Sequence, residues 1–186
     1  MKATPLSLPE VLVIEPPIFG DPRGYFLETW SLERYGKLGI DVAFVQDNLS
    51  RSSQGVLRGL HLQNPFGQAK LVMVPVGEVV DVVVDVRVGS PRFGQWASVV
   101  LSSDNKHQLF VPPGFAHGFC VTSEHALFAY KCSELYHPET EVGVAWNDPR
   151  LAIDWPLVNP TVSGKDGRHP PLHEIPLERL PRYVAD

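Results

Sequence analysis

The chain has 186 residues, a formal net charge of -5 and 44% hydrophobic residues. This length suits one domain, and this apolar content is enough to bury one sizeable core. The negative charge argues against a protein that binds nucleic acid or an anionic membrane surface by electrostatics, although it permits a small basic pocket.

Two further features concern location and redox state. Residues 1–5 lack the apolar core of a signal peptide, and no apolar run is long enough to span a bilayer, so a cytoplasmic location is expected. Cys120 and Cys132 both lie in apolar stretches and show no short-range pairing pattern. We expect buried free thiols rather than a disulfide scaffold.

Eighteen prolines and fifteen glycines divide the chain into short segments, many of them rich in Val, Phe and Leu. This pattern is typical of an all-β domain. The predicted strands, in chain order, are residues 11–15, 44–49, 56–62, 70–75, 78–86, 97–101, 108–111, 118–122 and 127–132. One helix is predicted at residues 31–38, with Ser31 as its N-cap and Gly39 as its stop.

The predicted strand at 78–86 is nearly continuous valine interrupted by two aspartates, which indicates a central strand with one largely buried face. The regular spacing of strands and turns predicts a double-sheet jelly roll with short peripheral helices. From about Pro156 onward, prolines become denser. We expect a single domain over residues 1–186, whose C-terminal segment from about 156 wraps the domain or carries site residues on loops.

The stretch Arg58-Gly-Leu-His61-Leu-Gln63, followed by Lys70, is the first candidate for chemistry. A histidine in an apolar setting can transfer protons at neutral pH, and neighbouring Arg and Lys side chains can hold an anion or a developing enolate. In a regular strand Arg58 and His61 would face opposite sides. They can serve one pocket only if a twist or bulge redirects them, which Gly59 permits.

Polar side chains mark two segments earlier in the chain. Arg23 lies in a turn, and Glu28 follows it closely, so both could project from the start of an early strand. Gln46, Asp47 and Asn48 end the predicted strand at 44–49 and offer groups suited to a pyrimidine edge or a sugar hydroxyl.

Later segments add titratable groups. Residues 112–119 are predicted as a turn that leads into a strand and delivers His117. Tyr130 lies in the predicted strand at 127–132, and Tyr136 lies just beyond its end. The glycine-flanked residues 163–167 form a predicted flexible loop, in which Asp166 could accept a hydrogen bond from a ring nitrogen of His61 and orient it.

Taken singly, these residues have simpler explanations. A lone histidine in an apolar strand is more often a core residue, and charged side chains such as Arg23, Glu28 and Glu141 mostly lie in solvent. Tyr130 suits packing as well as acid chemistry. No single motif decides between these interpretations on physical grounds.

The order and joint spacing of the motifs are far more specific. In chain order they are Phe19-Gly-Asp-x-Arg23-Gly-x-Phe-x-Glu28, Phe44-Val-Gln-Asp-Asn48, Arg58-Gly-Leu-His61, Gln68-x-Lys70-Leu, Gly114-Phe-Ala-His-Gly-Phe119, Trp146-Asn-Asp-Pro149 and Lys165-Asp166. Over about residues 19–166, this set closely resembles the dTDP-4-dehydrorhamnose 3,5-epimerase family. The resemblance implies a cupin-type jelly roll, usually a homodimer, that converts dTDP-4-dehydro-6-deoxy-D-glucose to dTDP-4-dehydro-L-rhamnose without a metal or an organic cofactor.

The resemblance also implies residue roles. His61 corresponds to the base, Asp166 to its orienting partner and Tyr130 to the proton donor, with Tyr136 as second choice for that donor. Lys70, helped by Arg58, would stabilise the enolate oxygen. The implied substrate-binding residues are Arg23, Glu28, Gln46, Asp47, Asn48, Arg58, Lys70, His117, Tyr136, Glu141 and Lys165. Phe19 and Phe26 are candidates for stacking on thymine, and early strands such as 11–15 could cross between protomers so that the dimer shares its sites.

Three alternatives stay open. Relatives that invert only C3 or only C5 share the same His, Tyr and Asp types. A metal-dependent cupin would typically place His-x-His on one strand, whereas Gln63 fills the second position here, so no metal is expected. A non-catalytic sugar-nucleotide binding module could keep Arg23, Arg58 and Lys165 but would not need the catalytic set.

Overall fold

The computed structural model describes residues 1–185, which contain thirteen strands and one short α-helix. The strands are β1 (Lys2–Pro5), β2 (Leu12–Glu15), β3 (Ile18–Asp21), β4 (Gly24–Leu27), β5 (Gln46–Ser53), β6 (Leu57–Gln63), β7 (Lys70–Val76), β8 (Glu78–Asp85), β9 (Trp96–Ser102), β10 (Gln108–Val111), β11 (Phe115–Val121), β12 (His125–Cys132) and β13 (Glu141–Gly143). The helix α1 (Leu32–Gly36) lies between β4 and β5. Over the same residues, no helix combines the length and apolarity needed to cross a bilayer.

Two antiparallel sheets form the body of the fold. One has the strand order β1-β2-β10-β7-β12-β5 and the other the order β13-β6-β11-β8-β9, while β3 and β4 form a separate hairpin. Between the sheets, the ring of Phe128 in β12 stacks on Phe119 in β11 with centroids 3.9 Å apart. Such a pair adds about 0.5–1.5 kcal/mol beyond the area that it buries. The predicted all-β double-sheet jelly roll is confirmed.

The valine-rich strand β8 lies between β11 and β9 and is buried on both faces. Val83 joins the core between the sheets, whereas Val82 and Val84 pack on the other side against a second apolar cluster. The C-terminal segment contributes Leu172 and Ile175 to that second cluster. Burial on both faces explains why valines occupy both sides of β8. The sequence interpretation had assigned only one face of this strand to the interior.

The structure differs from the sequence predictions at several boundaries. Three strands of three or four residues, β1, β3 and β13, were not predicted because such short runs show too little alternation, and β4 corresponds to the early strand expected after Arg23. Ser31 caps α1 as expected, accepting from Arg34 N at 3.4 Å, but the helix has five residues rather than eight. Residues 46–48 begin β5 rather than end a strand, because β5 continues through the polar residues to Ser53. Cys120 and Cys132 are buried free thiols, as predicted.

Candidate active site

A cavity of about 530 Å³ opens on the body of the domain. Strands β6 and β11 of the five-stranded sheet line it on one side, and β7 and β12 of the six-stranded sheet line it on the other, with residues 161–166 at its margin. Eight of the residues singled out in the sequence line this cavity: Arg58, His61, Lys70, His117, Tyr130, Glu141, Lys165 and Asp166.

A bulge in β6 brings Arg58 and His61 into the same cavity. In the β6–β11 pairing, His61 lies opposite His117 and Arg58 lies opposite Phe119, so one more residue separates the pair on β6 than on β11. Gly59 occupies the irregular position with φ +127°, and a Cβ there would come within 2.6 Å of the neighbouring Gly118 backbone. Glycine is therefore required for the bulge that the sequence made necessary.

His61 and Asp166 form a hydrogen-bonded pair that joins residues 105 positions apart. His61 Nε2 lies 2.7 Å from Asp166 Oδ1, and Asp166 is 5% exposed. Ser163 Oγ holds the Asp166 backbone by accepting from its N–H at 3.0 Å. Burial alone would raise the pKa of Asp166, but the hydrogen bond and charge of His61 outweigh it and leave that pKa below its ordinary value. The carboxylate is therefore charged where it faces the imidazole.

A second histidine–aspartate pair lies behind the cavity. His117 Nε2 is 2.8 and 3.0 Å from the two carboxylate oxygens of Asp81, and Asp81 is fully buried. Burial raises the pKa of Asp81, against the opposing effect of His117. In the sequence, Asp81 was noted only as an interruption of the valine run. A carboxylate within such an apolar run indicates a buried partner, because an unpaired buried charge is costly.

Two basic side chains, Lys70 and Arg58, line the cavity. Burial lowers the pKa of Lys70, while charge on Cys132 and Asp81 acts in the opposite direction. Arg58 Nε donates to Ser52 Oγ at 3.0 Å, which fixes the guanidinium from the neighbouring sheet. Charges held in a partly desolvated pocket interact strongly with an oxyanion.

Tyr130 reaches the cavity from the sheet opposite His61. It lies in β12, with Val72 of β7 and Asn48 of β5 as its strand partners, and its ring lies 5.9 Å from that of Phe128. Burial raises the pKa of Tyr130, so the side chain is a neutral phenol at neutral pH and retains a proton to donate.

Glu141 lines the cavity, and Tyr136 lies beside it at the solvent-exposed edge, called here the open side of the cavity, without lining it. Tyr136 is half-exposed, and its hydroxyl donates to Glu141 Oε2 at 2.9 Å. This hydrogen bond raises the pKa of Tyr136. Glu141 also forms an ion pair with Lys165, so the two charged residues predicted on separate segments hold each other.

Besides Tyr136, five predicted binding residues lie outside the lining of this cavity. Arg23 is exposed in the β3–β4 hairpin and pairs with Asp21 at 2.6 Å, and Glu28 accepts from Arg34 Nε at 2.7 Å. The remaining three are Gln46, Asp47 and Asn48.

The β5 residues Gln46 and Asn48 instead support the lining. Gln46 Oε1 accepts from the backbone of Tyr136 at 3.1 Å, and Gln46 Nε2 donates to Asn48 Oδ1 at 3.0 Å. Asp47 and Asn48 line a separate cavity of about 150 Å³, to which Tyr130 also contributes. Tyr130 thus lies between two spaces, only one of which contains His61.

Gln63 has a structural role in this arrangement. Its amide Nε2 donates to the carbonyl oxygens of Phe66 and Leu135 at 2.9 and 3.1 Å, and its Oε1 accepts from His137 N at 2.9 Å. The side chain is therefore fully engaged with the backbone of two loops at the position where a metal-binding cupin would typically carry histidine.

A different set of potential metal ligands occurs near the cavity. His61, Glu141 and His169 each present one ligand atom, all within 4.8 Å of one another. Glu141 is already paired with Lys165, and His61 with Asp166. A cation would have to displace these partners. His169 was not identified in the sequence because it lies between a glycine-containing loop and two prolines, without a motif of its own.

Metal removal is expected to leave the reaction intact. Because the proposed base and charge stabilisers are side chains with existing partners, dialysis of the protein against EDTA should change kcat by less than about twofold. Metal content measured before and after dialysis, beside the rate, checks this result. A loss of activity that added Zn²⁺, Mn²⁺ or Fe²⁺ reverses would instead support a metal-dependent cupin.

Comparisons with known proteins agree with the geometry. A family model described as dTDP-4-dehydrorhamnose 3,5-epimerase matches residues 5–174. A Pseudomonas aeruginosa protein named dTDP-4-dehydrorhamnose 3,5-epimerase is 53% identical over 168 residues, which cover 89% of this chain and 93% of the relative. A Streptomyces niveus protein named dTDP-4-dehydrorhamnose 3-epimerase is 42% identical over 168 residues, covering 89% and 81%.

A solved structure is similar along almost the whole chain. The crystal structure of a Legionella pneumophila dTDP-6-deoxy-D-glucose-3,5-epimerase, in complex with dTDP-4-keto-L-rhamnose, has a TM-score of 0.97 and 53% identity, with 99% of each chain covered. The fold is accordingly a cupin-type jelly roll. With the family model spanning most of its length and with relatives near 50% identity, the chain belongs to the dTDP-4-dehydrorhamnose 3,5-epimerase family.

Proposed function

We propose that this protein is a dTDP-4-dehydrorhamnose 3,5-epimerase, which inverts C3 and C5 of dTDP-4-dehydro-6-deoxy-D-glucose to give dTDP-4-dehydro-L-rhamnose in dTDP-L-rhamnose biosynthesis. The observation that carries the proposal is that His61 on one sheet, hydrogen-bonded to Asp166, lies opposite the neutral phenol of Tyr130 on the other sheet, within one cavity. We infer from this arrangement that a base and an acid lie on either side of a bound ring.

Proton removal is the role of His61. Carbons 3 and 5 both neighbour the C4 ketone, so each C–H proton can leave with formation of an enolate. His61 takes that proton on the ring nitrogen that does not face Asp166, and the charged carboxylate of Asp166 stabilises the resulting imidazolium. Asp166 also fixes the plane of the ring, so that the free nitrogen points into the cavity.

Stabilising the enolate oxygen is the role of the basic side chains. Lys70 and Arg58 line the cavity between the two sheets, where negative charge on the C4 oxygen would develop. His117, held by the buried Asp81, lines the same region and can donate to an oxygen of the substrate when it carries a proton. These groups are in position before the reaction starts, so little reorganisation is needed as the charge grows.

Reprotonation from the opposite face completes each inversion. Tyr130 donates its phenolic proton to the carbon, and the sugar then carries the opposite configuration there. Glu141, Lys165 and Tyr136 at the open side of the cavity are proposed to hold the nucleotide portion, together with Arg58 on the diphosphate.

Deuterium exchange tests the reaction directly. The protein is incubated with dTDP-4-dehydro-6-deoxy-D-glucose in deuterated water, and C3 and C5 are followed by NMR. Label and inversion at both carbons are expected. Absence of label at both carbons would remove the epimerase assignment for this substrate.

A C3-only epimerase is the second candidate, because one relative at 42% identity carries that name. The same experiment separates the two, since a C3-only enzyme leaves the C5 proton in place. The cytoplasmic location expected from the sequence stays a prediction, which cell fractionation checks.

We further propose that the protein is a homodimer whose sites include the β3–β4 hairpin of the partner. Phe19 and Phe26 of this hairpin are 63% and 67% exposed, and an apolar surface of this kind usually marks an interface. Arg23 lies on the same hairpin, outside the cavity of its own chain. β2, the strand predicted at 11–15, pairs with β10 of its own chain. The β3–β4 hairpin is therefore better placed than β2 to reach the partner protomer.

Mixed dimers provide the test. Arg23→Ala and His61→Ala chains, each inactive or weak alone, are refolded together. If the hairpin serves the partner's cavity, half of the dimers are mixed and each has one intact site, so about a quarter of wild-type activity should return. Pairing His61→Ala with Asp166→Ala is the matched control, because both residues line one chain's cavity and no intact site can form. Equal activity in the two mixtures would contradict the shared site.

A further inference from the structure

His169 lies against both His61, the proposed base, and its partner Asp166. It directly follows the 3₁₀ helix Asp166–Arg168, and its side chain is 12% exposed. Its ring meets that of His61 edge-on, with centroids 5.6 Å apart and an interplanar angle of 84°. Its Nε2 lies 3.5 Å from Asp166 Oδ1, the same oxygen that His61 approaches at 2.7 Å.

The space for this ring is provided by β13. A Cβ on Gly143 would overlap the ring atoms of His169, so the position opposite His61 in the β13–β6 pairing must lack a side chain. The backbone of Gly143 has an ordinary φ, so the requirement is for space and not for an unusual conformation. The ring of His169 is therefore packed into a fitted site beside the base.

The polar atom that faces the pair has no other partner. His169 Nε2 is buried and makes no hydrogen bond, although Asp166 Oδ1 is within reach of a small movement. A buried nitrogen without a partner is costly, and hydrogen bonds in substrate-free catalytic sites are often long and shorten when substrate binds.

From this geometry we propose that His169 is a positioning residue for the His61–Asp166 pair. Its edge contact fixes the His61 ring, and its Nε2–H closes on Asp166 Oδ1 when substrate occupies the cavity, so that the carboxylate keeps its orientation while His61 is protonated. The inference rests on the proposed function, because it assigns His169 to the same reaction.

The charges around His169 are consistent with a neutral ring. Burial lowers the pKa of His169, and charge on His61 lowers it further, while Asp166 and Glu141 act in the opposite direction. Lys165 also disfavours a charged His169. A neutral imidazole donates to Asp166 without placing a second positive charge beside the protonated base.

Three variants separate positioning from simple packing. His169→Phe keeps an aromatic ring but removes the donor, His169→Gln keeps a side-chain N–H, and His173→Phe is the matched control in the same segment, outside the cavity. Loss of a partner behind a catalytic group typically costs about 10–100-fold. We expect His169→Phe to lower kcat by that factor with KM within about twofold, His169→Gln to recover most of the loss, and His173→Phe to match wild type.

A second measurement does not depend on turnover. In protein with ¹⁵N-labelled histidine, the His61 N–H proton bonded to Asp166 should give a downfield resonance in wild type and in His169→Gln, and should broaden through solvent exchange in His169→Phe. Wild-type kcat in His169→Phe, or equal losses in the Phe and Gln variants, would overturn the inference. Failure of the wild-type protein to exchange deuterium would instead overturn the proposed function, while the resonance still reports on His169.

Discussion

Replacing His61 with alanine is expected to lower kcat by about 10²–10⁴-fold and to stop deuterium exchange at both C3 and C5. The imidazole of His61 is the group that the Asp166 carboxylate orients. Among the described residues, the one further histidine hydrogen-bonded to a carboxylate at the cavity is His117. His117 is engaged with Asp81 through its own ring. A single base for both carbons therefore predicts that both exchanges fail together.

The measurement is the NMR time course of substrate in deuterated water, with the variant at high concentration so that slow exchange is detected. His173→Ala is the control, since His173 lies in the C-terminal segment outside the cavity and should exchange at the wild-type rate. Tm for each variant distinguishes lost chemistry from lost fold. If His61→Ala stopped exchange at one carbon only, the other carbon would need a separate base.

The part of the site that the sequence predicted correctly depends on strong local signals. A proline- and glycine-rich chain with short apolar segments indicates a jelly roll, and the valine run indicates the central position of β8, although not the burial of both its faces. The conflict between Arg58 and His61 in a regular strand predicted an irregularity, which the structure places at Gly59. Local physics was sufficient in each case.

Contacts between distant segments were harder to predict. Asp81 binds His117 from 36 residues away, and nothing local specifies which carboxylate a buried histidine meets. His169 has no motif, and its proposed role depends on a missing side chain at Gly143, which ends β13 well before the loop that carries His169. Of the β3–β4 hairpin, the sequence indicated only the turn at Arg23 and an early strand after it, because these four-residue strands expose their apolar side chains instead of alternating them.

Tyr130→Phe is expected to separate proton removal from inversion. The variant retains the ring that packs beside Phe128 and loses only the hydroxyl, so the fold and the His61–Asp166 pair should persist. His61 can then still remove a proton and return a deuteron on the same face, while delivery from the opposite face slows by about 10²–10³-fold. Recovered substrate should carry deuterium with retained configuration.

The decisive measurement is the ratio of deuterium incorporation to inversion at each carbon. In wild type the two occur together, and in Tyr130→Phe incorporation should exceed inversion by at least about tenfold. Tyr136→Phe is the matched control, because Tyr136 is half-exposed and bonded to Glu141. This variant should change KM and leave the ratio of incorporation to inversion close to that of wild type. If Tyr136→Phe separated the two processes and Tyr130→Phe did not, the proton donor would lie at the open side of the cavity. The sheet opposite His61 would then serve only to bind the sugar, because the acid must lie on the face that receives the new proton.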